Sequence, residues 1–380
     1  MNPHQKPGLY VHCPFCMKKC PYCDFYSVAS TSLASRWLDA LKKEVIYYRD
    51  RFKCFDTLYL GGGTPTVLDA RALEKLMEHL FAHFDFDPDS EITIEANPGD
   101  LSGDKVNQIK ALGFNRINLG VQSFDDRELL FLGRTHTARD AEQALKKLRS
   151  SGFENVGLDL IYGLGGQSLK GWIETLKRTV EFRPEHLSCY QLTIEKETPF
   201  WRMKEKGMIE PLDEEEGRAF FLTTSRFLEE CGYIHYEISN FAREKACCSR
   251  HNWKYWRHVP YLGLGPSAHS FQNSTRWWNF RSIEKYCEAL EDRKAPVEDR
   301  ESLTEEQMRI ESIALGLRTS EGFDLKSHCD GPELTDTLSC LQESGYLRIS
   351  NNRVLPTKKG FLMADRLPLY FLPKSLHEPG

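Results

Sequence analysis

Long apolar runs are missing from this sequence. None approaches the roughly 18 residues that a bilayer-spanning helix needs. A strong charge of either sign is missing too: 50 Lys and Arg against 55 Asp and Glu leave a formal net charge of −5. That balance makes no overall electrostatic case for DNA, RNA or acidic lipid as a partner. No segment repeats at a fixed period and none is of low complexity, which excludes solenoid and propeller architectures. The opening residues 1–7 hold no apolar segment of the signal-peptide kind, so the expected location is the cytoplasm.

Cysteine, by contrast, is plentiful, with 12 in 380 residues. In a reducing compartment clustered cysteines bind metal more often than they pair, and scattered ones fill cores. Cys13, Cys16, Cys20 and Cys23 form the tight cluster, and Cys247 and Cys248 are adjacent. Cys54, Cys189, Cys231, Cys287, Cys329 and Cys340 are expected as small buried residues.

The length suits one large domain and a smaller one. Short strand-like runs alternate with helical patterns up to about residue 196. Strands are expected at Gly8–Cys13, Thr57–Leu60, Glu91–Ala96, Arg116–Gly120, Val156–Ile161 and His186–Leu192. Helices are expected at Ser32–Tyr48, Ala70–Phe81, Lys105–Leu112, Thr137–Ser151 and Leu169–Glu181. Such alternation implies a parallel sheet with right-handed crossovers. A flat doubly wound sheet and an incomplete (β/α)₆ barrel fit it equally. Gly61-Gly62-Gly63-Thr64-Pro65, Glu95, Gln122 and Asp159 all lie at or near strand C-terminal ends, the rim where such folds place their sites.

Further on, Asp213–Cys231 reads as a helix, Tyr233–Ile238 as a strand, and 250–278 as an aromatic-rich stretch. From Thr304 the order is helix at Glu305–Leu317, Leu325–His328 and Glu333–Ser344, then a hairpin over Tyr346–Leu355 turning at Asn351-Asn352. The expected division is a barrel over 1–235 and an α+β region over 236–380, winged-helix-like from about 303. A winged helix raises nucleic-acid binding, but Glu333–Ser344 carries no Lys or Arg, and a recognition helix needs basic residues. A lid or a docking surface for an acceptor protein fits better.

Cys16-x₃-Cys20-x₂-Cys23 follows the first strand in a loop containing Pro14 and Pro21. Three thiolates can hold three irons of a cubane and leave the fourth open. Adding Cys13 gives a closed four-thiolate site for zinc or iron–sulfur as the alternative. Strand parity speaks against it, because Cys13 is in phase with Leu9 and Val11 and faces the same apolar side.

Gly8-Leu-Tyr-Val-His-Cys-Pro-Phe-Cys-Met-Lys-Lys-Cys-Pro-Tyr-Cys23 resembles the opening of the radical S-adenosylmethionine (SAM) superfamily. Gly61–Pro65, Glu95–Pro98, Gly120–Phe124, Leu132–Thr135 and Asp159–Gly163 match in order, nearly end to end. The branch resembled contains oxygen-independent coproporphyrinogen III oxidase and the heme chaperone HemW. The resemblance implies a partial (β/α)₆ TIM-like barrel with a C-terminal α+β region. It also implies a [4Fe–4S] cluster on Cys16, Cys20 and Cys23, with SAM on the open iron. Tyr10, Tyr22, Gly63 and Thr64 would contact SAM near the cluster, and Glu95, Gln122, Arg134 and Asp159 its ribose and methionine ends. Reductive cleavage of SAM implies a flavodoxin or ferredoxin-type electron donor.

Within the branch, the oxidase has a long arm before its cluster and a further cysteine two residues past the last ligand. Here Tyr10 is already at position 10, and Phe25 stands at that second position. His251-Asn-Trp-Lys-Tyr-Trp256 matches the H-N-x-x-Y-W signature of the chaperones. The resemblance thus favours a heme carrier that passes heme to respiratory cytochromes or other heme proteins, meeting a membrane only through such an acceptor. His251 is then a heme contact, since imidazole ligates iron. The open alternatives are a porphyrinogen oxidase of porphyrin biosynthesis or another radical SAM reaction.

Overall fold

Period-two alternation in the first half builds the frame of the computed structural model, which describes residues 5–328 and 332–372. Cys329 and the first four residues lie outside the described residues. In β1 (Gly8–Cys13) Leu9, Val11 and Cys13 are fully buried on one face, and Tyr10 and His12 take the other. The same alternation runs through β2 (Cys54–Gly62), β3 (Asp85–Ala96), β4 (Arg116–Gln122), β5 (Asn155–Tyr162) and β6 (His186–Gln191). Their apolar faces pack on α1 (Ala34–Tyr48), α2 (Ala70–His83), α3 (Gly103–Ala111), α4 (Asp126–Phe131), α5 (Ala138–Ser150) and α6 (Leu169–Glu181) in one continuous core. Asp69, Ser102, Thr137 and Ser168 start four of these helices, each side chain accepting a first-turn N–H.

Neighbouring strands from β1 to β6 pair in parallel in sequence order. The sheet curls. Tyr59 on β2 is close enough to feel Asp159 on β5 and Tyr190 on β6, and side chains of β2 to β6 line one cavity. A flat sheet cannot bring these strands together, so the partial barrel stands.

The second half continues that sheet. After α7 (Pro199–Glu205) and α8 (Glu214–Glu230) come β7 (Ile234–His235), β8 (Asn240–Ala242), α9 (Arg250–Trp256), β9 (Tyr261–Leu264), β10 (His269–Gln272), β11 (Thr275–Asn279), α10 (Ile283–Glu291) and β12 (Val297–Ser302). β9 pairs in parallel with β1, and β8 runs antiparallel to β6. Among the described residues the sheet has 12 strands, ordered β12-β11-β10-β9-β1-β2-β3-β4-β5-β6-β8-β7.

A separate small core, around Ile313, Leu317, Leu338 and Val354, holds the last part. It is built from α11 (Glu305–Gly316), β13 (Phe323–Asp324), α12 (Leu325–His328), α13 (Pro332–Glu343), β14 (Leu347–Ser350), β15 (Arg353–Pro356) and α14 (Lys358–Phe361). The hairpin turns at Asn351 and Asn352, with φ of 50° and 61°, a conformation that asparagine tolerates. β13 pairs with β15 as a third strand.

Three expectations need correction. Cys231 is exposed because it caps the C-terminal end of α8, and Cys340 is exposed on α13. Cys54 is half-buried at the start of β2, whereas Cys189 and Cys287 are buried as read. The strand expected at Tyr233–Ile238 shrinks to two residues, because the chain turns at Glu237, whose carboxylate accepts the Ser239 N–H at 3.1 Å. No helix among the described residues is long and apolar enough to cross a membrane.

Candidate functional site

The loop after β1 is pinned at both ends. Val28 N–H donates to Pro14 O at 2.7 Å and Cys16 N–H to Val28 O at 3.0 Å. Gly63 and Thr64, following β2, donate to the carbonyls of Cys13 and Phe15, both at 2.7 Å. A Cβ on Gly63 would lie 2.6 Å from Phe15 O and 2.9 Å from Cys13 O, so glycine is required by the close approach.

This packing sorts the four cysteines. Cys13 is fully buried in the core behind β1. Cys16, Cys20 and Cys23 are half-buried and line one end of a cavity of about 1020 Å³ at the strand C-terminal ends. Among the described residues no three His, Cys, Asp or Glu side chains converge as a single ion would require. A cubane does not ask them to, since each thiolate takes its own iron. Burial pushes the Cys23 thiol up to about 11 and raises Cys16 as well, so incoming iron must displace their protons.

Beside the thiols, the Asn97 amide donates to Thr64 Oγ1 at 3.0 Å, which leaves the Thr64 hydroxyl free to donate toward Cys16 Sγ, 3.5 Å away. Arg134 donates to Cys20 Sγ at 3.5 Å, to Gly120 O at 2.8 Å, and to Asn97. Two carboxylates face the cavity from β3 and β5. Glu95 accepts from Tyr59 Oη at 2.8 Å and from Gly62 N–H at 3.0 Å, and burial pushes it up to about 7. Asp159 accepts the Asn118 amide at 2.8 Å and is also raised by burial. Gln122 sits on the same wall at φ 68°, where the β4–β5 register shifts. Such a backbone conformation is uncommon for a residue with a Cβ and marks a constrained position.

Tyr22, Gly63, Thr64, Glu95, Gln122, Arg134 and Asp159 therefore share the cavity with the three cysteines. Tyr10 and His251 do not line it. The Tyr10 hydroxyl lies 3.0 Å from His12 Nδ1, and His12 Nε2 lies 2.8 Å from the Tyr26 carbonyl, three residues past Cys23. Tyr10 thus braces the loop from behind. His251, on α9, closes the opposite end of the strands. It is fully buried, with Nδ1 2.8 Å from Thr57 Oγ1 and Nε2 2.8 Å from Tyr255 Oη. Its main-chain N–H donates to Glu91 at 3.1 Å. Burial pushes its pKa down to about 3, so the ring is neutral and both nitrogens are engaged.

Tyr59, Asn97, Asn118 and Ser188 also line the cavity without having been singled out in the sequence. Asn118 and Ser188 lie in phase with Gly120 and Tyr190 on the polar faces of their strands, and that periodicity was the available signal. Taken together, three half-buried thiols beside a hydroxyl, an amide, a guanidinium and two carboxylates fit an iron–sulfur cluster and a small zwitterionic ligand bearing a ribose.

A model of the Radical SAM superfamily matches residues 10–179. "Heme chaperone HemW" of Bacillus subtilis (strain 168) is 35% identical over 372 residues, covering 95% of this chain and 97% of its own length. "Heme chaperone HemW" of Escherichia coli (strain K12) is 38% identical over 270 residues, 69% of each chain. Among solved structures, "Coproporphyrinogen III oxidase (HemN)" from Escherichia coli matches with a TM-score of 0.82 at 24% identity, covering 97% of this chain and 90% of that one. At that identity the likeness speaks for the fold alone.

Proposed function

This chain belongs to the radical SAM superfamily and, within it, to the HemW family, and on that premise we propose that it is a heme chaperone that binds heme and hands it to acceptor heme proteins. Membership of the superfamily implies a [4Fe–4S] cluster and SAM. When bound, these supply one-electron chemistry through the iron that the three thiolates leave open.

The protein's own residues do the holding. Cys16, Cys20 and Cys23 take the cluster, and the Arg134 guanidinium at the Cys20 sulfur offsets thiolate charge. Thr64 and Gly63 meet the SAM amino group, Glu95 and Asp159 its hydroxyls and Gln122 its methionine end, while Tyr22 shields the cluster side. Tyr10 acts one step back, through His12, by fixing the loop past Cys23.

The observation that carries the heme reading is the 35% identity across 97% of a relative named for that role. A heme titration of anaerobically reconstituted protein, with and without its cluster, tests it. Stoichiometric uptake supports the reading. Conversion of coproporphyrinogen III to protoporphyrinogen in the presence of SAM and reductant would replace it with the oxidase alternative.

A further inference from the structure

Below the rim, the inward-facing residues of neighbouring strands stack in rows across the barrel. Gly120, Asp159 and Ser188 are cross-strand neighbours on β4, β5 and β6. Asn118, Gly157 and His186 form the next row, toward the strand N-terminal ends. Asn118 joins the two rows, its amide nitrogen lying 2.8 Å from each Asp159 oxygen. Ser188 is a second donor to that carboxylate.

The deeper row carries two orphaned polar atoms. Asn118 and His186 both line the cavity, yet they are only 8% and 2% exposed. Asn118 Oδ1 and His186 Nδ1 have no hydrogen-bond partner among the described residues. Both border the space that a side chain at position 157 would fill. A Cβ on Gly157 would clash with Asn118 Oδ1 and lie 3.4 Å from His186 Nδ1.

Donor and acceptor can be assigned. Tyr236 Oη lies 2.7 Å from His186 Nε2 and accepts the Ser249 N–H at 3.4 Å. Were it to accept from both, its own hydrogen would have no acceptor among the described residues. The hydroxyl therefore donates to Nε2, and the ring proton sits on Nδ1. Burial, with the Arg116 charge nearby, holds the His186 pKa well below the usual histidine value, so the ring is neutral. A donor on β6 thus faces an acceptor on β4 across Gly157. Water, which both donates and accepts, satisfies the pair. A simple anion or cation would satisfy one atom only.

We propose that one bound water joins His186 to Asn118, and that His186 is thereby a positioning residue for Asp159. Through the water, His186 holds the Asn118 amide with its nitrogen toward the carboxylate and its oxygen away. Turned over, Asn118 would set its oxygen against Asp159 and oppose the ionised form. The inference rests on Asp159 being a SAM contact and adds what orients it.

Two substitutions separate the two ring nitrogens. An asparagine amide nitrogen takes the place of Nδ1, and a glutamine amide nitrogen the place of Nε2. His186→Asn therefore keeps the donor at the water and gives up Tyr236, whereas His186→Gln does the reverse. SAM is titrated calorimetrically into the anaerobically reconstituted full chain, with iron content and circular dichroism as folding controls. The expected result is a loss of about fivefold in affinity for His186→Gln, with His186→Asn staying within about twofold of the unsubstituted chain. Asp159→Asn should lose about tenfold or more. A loss in His186→Asn equal to or greater than that in His186→Gln, or no loss in either, overturns the relay, because a purely structural role through Tyr236 predicts that order. A crystal structure of the unsubstituted chain supplies a measurement that needs no variant. A water within hydrogen-bond reach of both Asn118 Oδ1 and His186 Nδ1 supports the proposal, and an ordered site without one overturns it. An Asp159→Asn chain that binds SAM as well as the unsubstituted one overturns the SAM contact and the relay with it, and leaves the heme reading standing.

Discussion

Arg134 Nη1 lies 3.5 Å from the sulfur of Cys20, and the same guanidinium donates to the Gly120 carbonyl at the end of β4. One side chain thus couples the cluster loop to the strand that carries Gln122. Arg134→Lys keeps the charge but loses the fork that reaches both partners and Asn97. It is expected to weaken SAM binding by roughly tenfold, the worth of one charged hydrogen bond, and to shift the electron paramagnetic resonance signal of the reduced cluster. Isothermal titration and spectroscopy on the same preparation check both.

Cys13 and Cys16 are three residues apart and belong to different environments, the apolar core and the cavity wall. Cys13→Ala should retain iron and sulfide in full and cost about 1 kcal/mol of stability from lost packing. Cys16→Ala, Cys20→Ala and Cys23→Ala should each abolish the SAM-responsive cluster signal. Iron analysis after anaerobic reconstitution separates the two classes, and a cluster lost in Cys13→Ala would reinstate the closed four-thiolate site.

What the sequence made legible follows from local physics. Strand parity placed Cys13 in the core, and the glycine run after β2 marked where the backbone must approach the cluster loop. The six parallel strands were readable because each alternates within a few residues. The joining of β9 to β1 was not readable, because Tyr261–Leu264 and Gly8–Cys13 are some 250 residues apart and nothing local encodes their pairing. The surroundings of His251 were equally hidden. Its aromatic neighbours can be read from the sequence, but its hydrogen bonds to Thr57 and Tyr255 cannot, because Thr57 comes from β2, almost 200 residues earlier.

Glu44 shows how the two halves are locked. Its buried carboxylate, on α1, accepts from Gly265 N–H at 2.8 Å and from Asn279 and Tyr286 at 2.6 Å each. Glu44→Ala leaves three buried donors without an acceptor and should destabilise the protein by about 3 kcal/mol or more. Glu44→Gln keeps one strong acceptor and should cost less. Thermal and urea denaturation of the two variants gives the comparison.

Glu95 ties ligand binding to pH. Burial raises it from 4.5 to about 7, opposed by its bonds from Tyr59 and Gly62. Between those values the ligand-free native state holds a proton that the unfolded chain has released, so this group's stabilising contribution is full below pH 4.5 and lost as pH rises through 7. A ligand that donates hydrogen bonds to Glu95 needs the carboxylate and therefore expels that proton. SAM affinity should fall by up to about tenfold per pH unit below 7. Binding near pH 6.5 should release a fraction of a proton, visible as a dependence of the calorimetric enthalpy on buffer ionisation. In Glu95→Gln both effects should shrink, because the titrating group is gone; a pH profile unchanged by that substitution would remove Glu95 from the ligand's contacts.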